Sequence, residues 1–143
     1  MDEQTKKLLE ECSAGCKMAI NSIDQIKEYV TNEKLAKAME DYKNQQEKME
    51  AEAAKQLEEA GRDEKSPGAF ASAFSWITTE MKLMIKDDSS QVSKILMDGC
   101  NMGIQSIGKF INQYAGASRQ SQSLAKKIVK SQEEFVKELE EYL

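Results

Sequence analysis

The sequence predicts an all-helical protein, a four-helix bundle made of two similar helical hairpins that a long crossover helix joins. Composition is the first observation, because the 143 residues include only seven glycines and one proline and are rich in helix-favouring residues. Periodicity is the second, since apolar residues recur at steps of three and four in several long segments. The third is an internal repeat, in which residues 12–23 (CSAGCKMAINSI) match residues 96–107 (LMDGCNMGIQSI). At this length we expect one domain over residues 1–143.

The first hairpin is predicted over residues 3–60. Its first helix runs from about residue 3 to about residue 30 and carries a heptad seam formed by Leu9, Cys12, Cys16, Ala19, Ile23, Ile26 and Val30. Thr31 or Asn32 is expected to cap the second helix, which runs to about Ala60 before Gly61 ends it. The seam of this second helix consists of Leu35, Met39, Tyr42, Gln46, Met49 and Ala53.

The crossover helix is predicted over residues 66–86. Ser66 supplies a cap oxygen and Pro67 fits the first helical position. About 20 residues at a rise of ~1.5 Å each span ~30 Å, so this helix can return the chain to the other end of the bundle. The first helix of the second hairpin then runs antiparallel to that of the first hairpin, and a pseudo-twofold axis crosses the bundle at mid-height.

The second hairpin is predicted over residues 89–143, after a polar break at residues 87–90. Its first helix runs to about Ala115, with a seam formed by Leu96, Cys100, Gly103, Ile107, Phe110 and Tyr114. A turn at residues 116–118 precedes the last helix, whose seam consists of Leu124, Ile128, Ser131, Phe135 and either Leu139 or Tyr142. Two hairpins that each carry one apolar stripe bury those stripes best against each other.

A second stripe of small residues and methionine lies about a quarter-turn from the core seam. In the first hairpin it consists of Leu8, Gly15, Met18 and Ser22, and in the second of Val92, Gly99, Met102 and Ser106. Such residues favour a close helix approach, and Met adapts to irregular surfaces. The stripe has three candidate partners: a neighbouring helix, the crossover helix or a second protomer. A homodimer and internal packing therefore both stay open.

The order of these segments resembles the ferritin-like fold, a duplicated helical hairpin with a lengthwise crossover. Three stretches carry the resemblance further: Ser66-Pro67-Gly68 ahead of Trp76, EMKLMIKDD at residues 80–88, and LMDGCNMGIQSIGKFINQY at residues 96–114. They are similar to a small bacterial family of domains of unknown function that is placed among ferritin-like proteins. The resemblance covers the chain from about Leu8 onward, and it implies a fold without implying an activity.

Charge and composition exclude several function classes. The net charge is −5 and the pI about 5.0, so the surface repels the phosphates of nucleic acids. No apolar run approaches membrane-spanning length and the first residues lack the apolar core of a signal peptide, so we expect a cytoplasmic protein without a membrane segment. The chain contains no histidine, the commonest general base and metal ligand. We therefore expect a non-enzymatic protein without a cofactor.

The di-iron chemistry of ferritin-like proteins needs Glu-x-x-His motifs, which a chain without histidine cannot form. The candidate carboxylates, Glu47, Glu50, Glu134 and Glu138, lack that partner, and most of them face solvent by their heptad positions. A carboxylate-based metal oxidase is the exception to a non-enzymatic role, and it requires a carboxylate cluster inside the bundle.

The three cysteines have two interpretations. Cys12 and Cys16 lie one helical turn apart, and the pseudo-twofold axis brings Cys16 and Cys100 together at mid-height. Their thiols could form a soft-metal site for copper or zinc, or a redox sensor. Alternatively they fill the core as small apolar side chains, as Leu96 does at the position that matches Cys12. The sequence thus favours a binding or structural module with an unknown protein partner, and a thiol-based metal or redox protein is the alternative.

Overall fold

A computed structural model of the protein describes residues 2–59 and 88–143. The predicted crossover helix, residues 66–86, lies outside the described residues. The described part is helical, and it contains no strand. It consists of α1 (Glu3–Ile26), a short 3-10 turn (Lys27–Tyr29), α2 (Glu33–Glu59), α3 (Ser89–Gln113), α4 (Arg119–Leu139) and a final 3-10 turn (Glu140–Tyr142). The four predicted bundle helices are therefore confirmed, with ends within a few residues of those expected.

Each of the four helices begins at a side-chain oxygen that accepts a hydrogen bond from the backbone N–H three residues later. Such a cap satisfies one of the donors that the first helical turn leaves open. The capping residues are Asp2, Asn32, Asp88 and Ser118, with distances of 2.8, 3.0, 2.9 and 3.2 Å. The structure thus selects Asn32 over Thr31 as the cap of α2, and α3 begins at Ser89, where the second hairpin was predicted to begin.

The four helices form a bundle in which consecutive helices pair as hairpins. α1 packs on α2 and α3 on α4, while α1 also contacts α3 and α2 contacts α4. The N-terminal part of α1, at Leu8, shares a core cluster with Ile107 near the end of α3. The C-terminal part of α1, at Ile26, shares the other core cluster with Val92 near the start of α3. The two helices therefore run antiparallel, as expected.

The core consists of two clusters with polar side chains at the level between them. Gln46, fully buried on α2, lies along the helix between Tyr42 of one cluster and Ala53 of the other. Its Nε2 donates to Ser131 Oγ on α4 at 3.4 Å, and Ser131 Oγ donates to Gln45 Oε1 at 2.8 Å. Hydrogen bonds therefore link α2 to α4 at the middle of the bundle, from the buried Gln46 and Ser131 to the exposed Gln45, while Gln46 Oε1 is buried without a partner among the described residues.

The predicted seams of α1, α2 and α4 are mostly buried, whereas half of the predicted α3 seam, Gly103, Phe110 and Tyr114, is only half-buried. On α1 and α2 every seam residue is buried except Ala19, Val30 and Met49, which are half-buried. At the end of α4, Leu139 is fully buried and Tyr142 only half-buried, so Leu139 is the seam residue. Burial of α1 at residues 11–16 extends beyond its predicted seam. All six of these residues are buried, so α1 is covered around its whole circumference there.

Candidate functional site

The candidate site is a cavity of about 80 Å³ between α1 and α3. Residues that match in the internal repeat line it from both helices. The five pairs are Gly15 and Gly99, Met18 and Met102, Ala19 and Gly103, Ser22 and Ser106, and Ile23 and Ile107. The second stripe of each hairpin therefore faces a shared space inside the bundle. Three pairs contain only glycine, alanine or serine, so they leave room that larger side chains would fill.

Four residues from α2, α3 and α4 close another side of the cavity: Tyr42, Cys100, Gln132 and Phe135. The rings of Tyr42 and Phe135 stack with their centroids 4.1 Å apart and their planes 8° from parallel. The Cys100 thiol donates to the Tyr42 hydroxyl, with 3.8 Å between Sγ and Oη. Both aromatic residues are almost fully buried, so this side of the cavity is shielded from water.

Gln132 is the polar residue of this closed side, and it is only 4% exposed. Its Oε1 is buried and has no hydrogen-bond partner. Burial raises the pKa of Tyr42 well above its ordinary value, the Cys100 thiol adds to the rise, and a hydrogen bond from Gln132 opposes it. The nitrogen of the Gln132 amide is thus engaged by Tyr42, while its oxygen stays an open acceptor next to the cavity.

Gly103 lets the Gln132 amide occupy this place. A Cβ at residue 103 would collide with Gln132 Nε2, whereas a Cβ at Gly108, on the same helix, would meet no atom within 4 Å. Gly108→Ala is therefore expected to stabilise the protein by about 0.5–1 kcal/mol, because alanine favours the helix. Gly103→Ala should instead destabilise the protein by about 1 kcal/mol in total. The new Cβ would displace the buried Gln132 amide, which would lose its hydrogen bond with Tyr42.

Thermal and urea unfolding of both glycine variants against the unchanged protein measure this difference. The helix-propensity gain is common to the two substitutions, so the difference between them isolates the contact at Gln132. Equal stabilisation by Gly103→Ala and Gly108→Ala would contradict the assigned position of the Gln132 amide.

All three candidate metal-binding cysteines are buried with free thiols. Cys12 and Cys16 belong to one core cluster and Cys100 to the other. Cys100 contacts Tyr42 through a hydrogen bond, and Cys16 lies close enough to raise the pKa of the same tyrosine. Within residues 2–59 and 88–143, no group of three or more cysteine or carboxylate side chains is arranged to hold a metal ion.

The thiols are held in their protonated form. Burial raises the pKa of Cys12 to about 12, and the neighbouring Glu11 adds to the rise. Burial also raises the pKa of Cys100 to about 12, against a hydrogen bond with Tyr42 that lowers it. For Cys16, burial, then Cys12 and Glu50, raise the pKa well above its ordinary value. Because the thiolate is the reactive form, these cysteines are poor nucleophiles near neutral pH.

The candidate carboxylates lie away from the core. Glu47, Glu134 and Glu138 are exposed, as their heptad positions predicted. Glu50 is half-buried, where it accepts a hydrogen bond from Ser13 Oγ at 3.2 Å and lies 3.9 Å from Lys17 Nζ. The four carboxylates are therefore spread over the surfaces of α2 and α4 rather than gathered inside the bundle.

Sequence reasoning identified the matched residues of the cavity but missed Gln132. A glutamine next to the seam residue Ser131 has no local signal that separates it from the exposed glutamines of the same helix. Among the described helices, none combines the length and apolar character that crossing a membrane requires. Comparison with protein-family models, curated proteins and solved structures finds no match to this chain.

Proposed function

We propose that this chain is a non-enzymatic binding module with a ferritin-like bundle, and that its ligand is a small uncharged apolar molecule held between α1 and α3. The observation that carries the proposal is the cavity itself, which the two matched segments line in pairs. An internal duplication of a helical hairpin accounts for that pairing, and it fits the ferritin-like order of segments predicted from the sequence.

The lining supports an uncharged apolar ligand. It includes no Asp, Glu, Lys or Arg side chain from the described residues. A charged ligand would lose its hydration there without gaining a countercharge, which is costly. Ligand sites are typically apolar with a few polar groups that fix orientation, which is the composition of this cavity.

The cost of the cavity also supports a binding role. At about 24 cal/mol per Å³, an empty space of this size costs about 2 kcal/mol of stability. Larger side chains at the matched small residues would recover that free energy. A sequence that repeats glycine and serine at these positions instead keeps space for an occupant.

The described surface has too few exposed apolar side chains to favour an assembly role over ligand binding. Among the described residues, the large apolar side chains that are exposed are Met102 at 42% and Leu143 at 61%. Specific protein interfaces bury a central apolar patch, which two separate side chains do not provide. Met102 also lines the cavity, so its exposure places one side of the cavity near the surface.

The experiment that tests this proposal uses 1-chlorobutane as an apolar probe and methionine-methyl NMR as the readout. We expect saturable shifts of the Met18 and Met102 methyl groups, because both line the cavity. Met49, which is half-buried against the other core cluster, serves as the internal control. Ala19→Leu should fill the cavity and abolish the shifts, whereas Ala51→Leu, at an exposed position, should leave them unchanged.

Two outcomes would overturn the proposal. Shifts that grow linearly with 1-chlorobutane and affect all methionines equally would indicate solvent effects without a site. Binding that persists in the Ala19→Leu variant with unchanged affinity would place the probe elsewhere in the protein.

A further inference from the structure

We infer that the ligand carries one hydroxyl group, which hydrogen-bonds the Gln132 amide, with an alkyl part along the walls that the repeat forms. This inference rests on the proposed function and names the ligand class of the same cavity. It is carried by Gln132, which lines the cavity and whose Oε1 is buried without a hydrogen-bond partner in the described part of the protein.

Three other polar residues of the lining, Ser22, Tyr42 and Cys100, already have partners. Ser22 Oγ donates to the Met18 carbonyl at 2.8 Å. The Cys100 thiol donates to the Tyr42 hydroxyl, which also interacts with the Gln132 amide. Gln132 Oε1 is the fully buried acceptor of this described lining without a partner, and such an atom costs free energy that a ligand donor would recover.

A neutral hydroxyl fits this acceptor better than other donors do. An ammonium group would need a carboxylate, and none lines the described cavity. A carboxylate has no proton to donate to Oε1. A hydroxyl both donates and accepts, so it satisfies the amide in either orientation of its oxygen and nitrogen. The class of ligand is therefore a small aliphatic alcohol, or a larger molecule that ends in an alkyl alcohol.

The walls around this acceptor suit an alkyl chain. Met18 and Met102 face the cavity from opposite helices, and the flexible thioether side chain of methionine adapts to chains of different shape. Gly103 keeps the approach to Gln132 open, because any side chain there would occupy the place of its amide. The polar end of the ligand thus meets Gln132 while its apolar part contacts the matched residues.

The test compares 1-butanol with 1-chlorobutane on the unchanged protein and on a Gln132→Met variant. The two probes share a chain, and only the alcohol donates a hydrogen bond. Methionine keeps the approximate length of glutamine and removes its polar atoms. We expect Gln132→Met to weaken 1-butanol binding about fivefold, as for one net hydrogen bond, and to change 1-chlorobutane binding by less than about twofold.

A second measurement avoids substitution. In the unchanged protein, saturating 1-butanol should shift the side-chain amide resonances of Gln132, and 1-chlorobutane should shift them much less. This readout holds even if Gln132→Met disturbs folding, which circular dichroism and thermal unfolding of the variant would reveal.

The outcomes separate this inference from the proposed function. In one outcome, Gln132→Met weakens the binding of both probes equally, or of neither, with the amide resonances responding alike to both probes. In that case the hydroxyl assignment is wrong, while the cavity remains a binding site. If 1-chlorobutane fails to bind the unchanged protein but 1-butanol binds with dependence on Gln132, the apolar-ligand proposal fails and the hydroxyl contact stands. If neither probe binds, both are overturned.

Discussion

Raising the pH from 7 to about 10 should lower the free energy of unfolding by about 4 kcal/mol through the three buried thiols. The folded pKa of Cys12 and of Cys100 is about 12, against an ordinary value of 9.0, and that of Cys16 is also well above it. Between these values the unfolded chain loses protons that the folded protein keeps. Stability is therefore complete below pH ~9 and falls as the pH rises, by about 1.4 kcal/mol per thiol for each pH unit.

This loss is large relative to the total free energy of unfolding. Domains of this size have a free energy of unfolding of about 5–15 kcal/mol, so the loss at alkaline pH is a substantial fraction of it. The buried hydroxyl of Tyr42, whose pKa is also raised well above its ordinary value of 10.0, adds to the loss at higher pH. Urea unfolding followed by circular dichroism at a series of pH values, in the presence of a reductant, measures it.

The control is the triple variant Cys12→Ala, Cys16→Ala and Cys100→Ala. It should be less stable at neutral pH because each change removes a buried sulfur, yet its alkaline slope should be much shallower. If the triple variant fails to fold, each single variant should remove about a third of the slope. Equal slopes with and without the thiols would show that the thiols lose their protons at the same pH in the folded protein as in the unfolded chain, which contradicts the raised pKa values. Stability that rises between pH 7 and 9 only when the thiols are present would instead indicate thiolates in the folded protein, as in thiols bound to a soft metal.

Replacing Phe135 by alanine should destabilise the protein by about 3–5 kcal/mol and create a site for benzene. Phe135 is only 2% exposed, stacks on Tyr42 and lines the existing cavity. Removing its ring joins a ring-sized space to that cavity, and the stacked position leaves room for an aromatic replacement. Benzene at a concentration of about ten times its dissociation constant should restore about 1.4 kcal/mol of the lost stability.

Phe110→Ala is the matched control for this experiment. Phe110 is half-buried, lies outside the lining described for the cavity, and stacks on Tyr114 with ring centroids 6.1 Å apart. Its replacement should cost less stability, and benzene should not restore it. Thermal unfolding of both variants with and without benzene gives the comparison. If benzene stabilises neither variant, the space beside Tyr42 collapses when the ring is removed, and the cavity is not maintained by rigid walls.

Local signals in the sequence determined the helices of the described bundle. Asp88 and Ser118 are residues that cap helices by their own chemistry, and heptad spacing placed Leu35 and Ile128 in the core before any neighbour was known. These features depend on residues within a few positions of one another. The predicted crossover helix lies outside the described residues and stays a prediction.

Tertiary structure alone decided what the repeated segments do. Met18 is 8% exposed and Met102 is 42% exposed, although both occupy the same place in the repeat. The sequence also could not separate Gln132 from a surface glutamine, since its burial depends on Tyr42 and Gly103 from other helices. Burial and hydrogen bonding across a bundle are set by side chains far apart in the chain. The sequence by itself therefore determined the helices and their seams, whereas the packing of α1 against α3 decided that their small residues enclose a cavity.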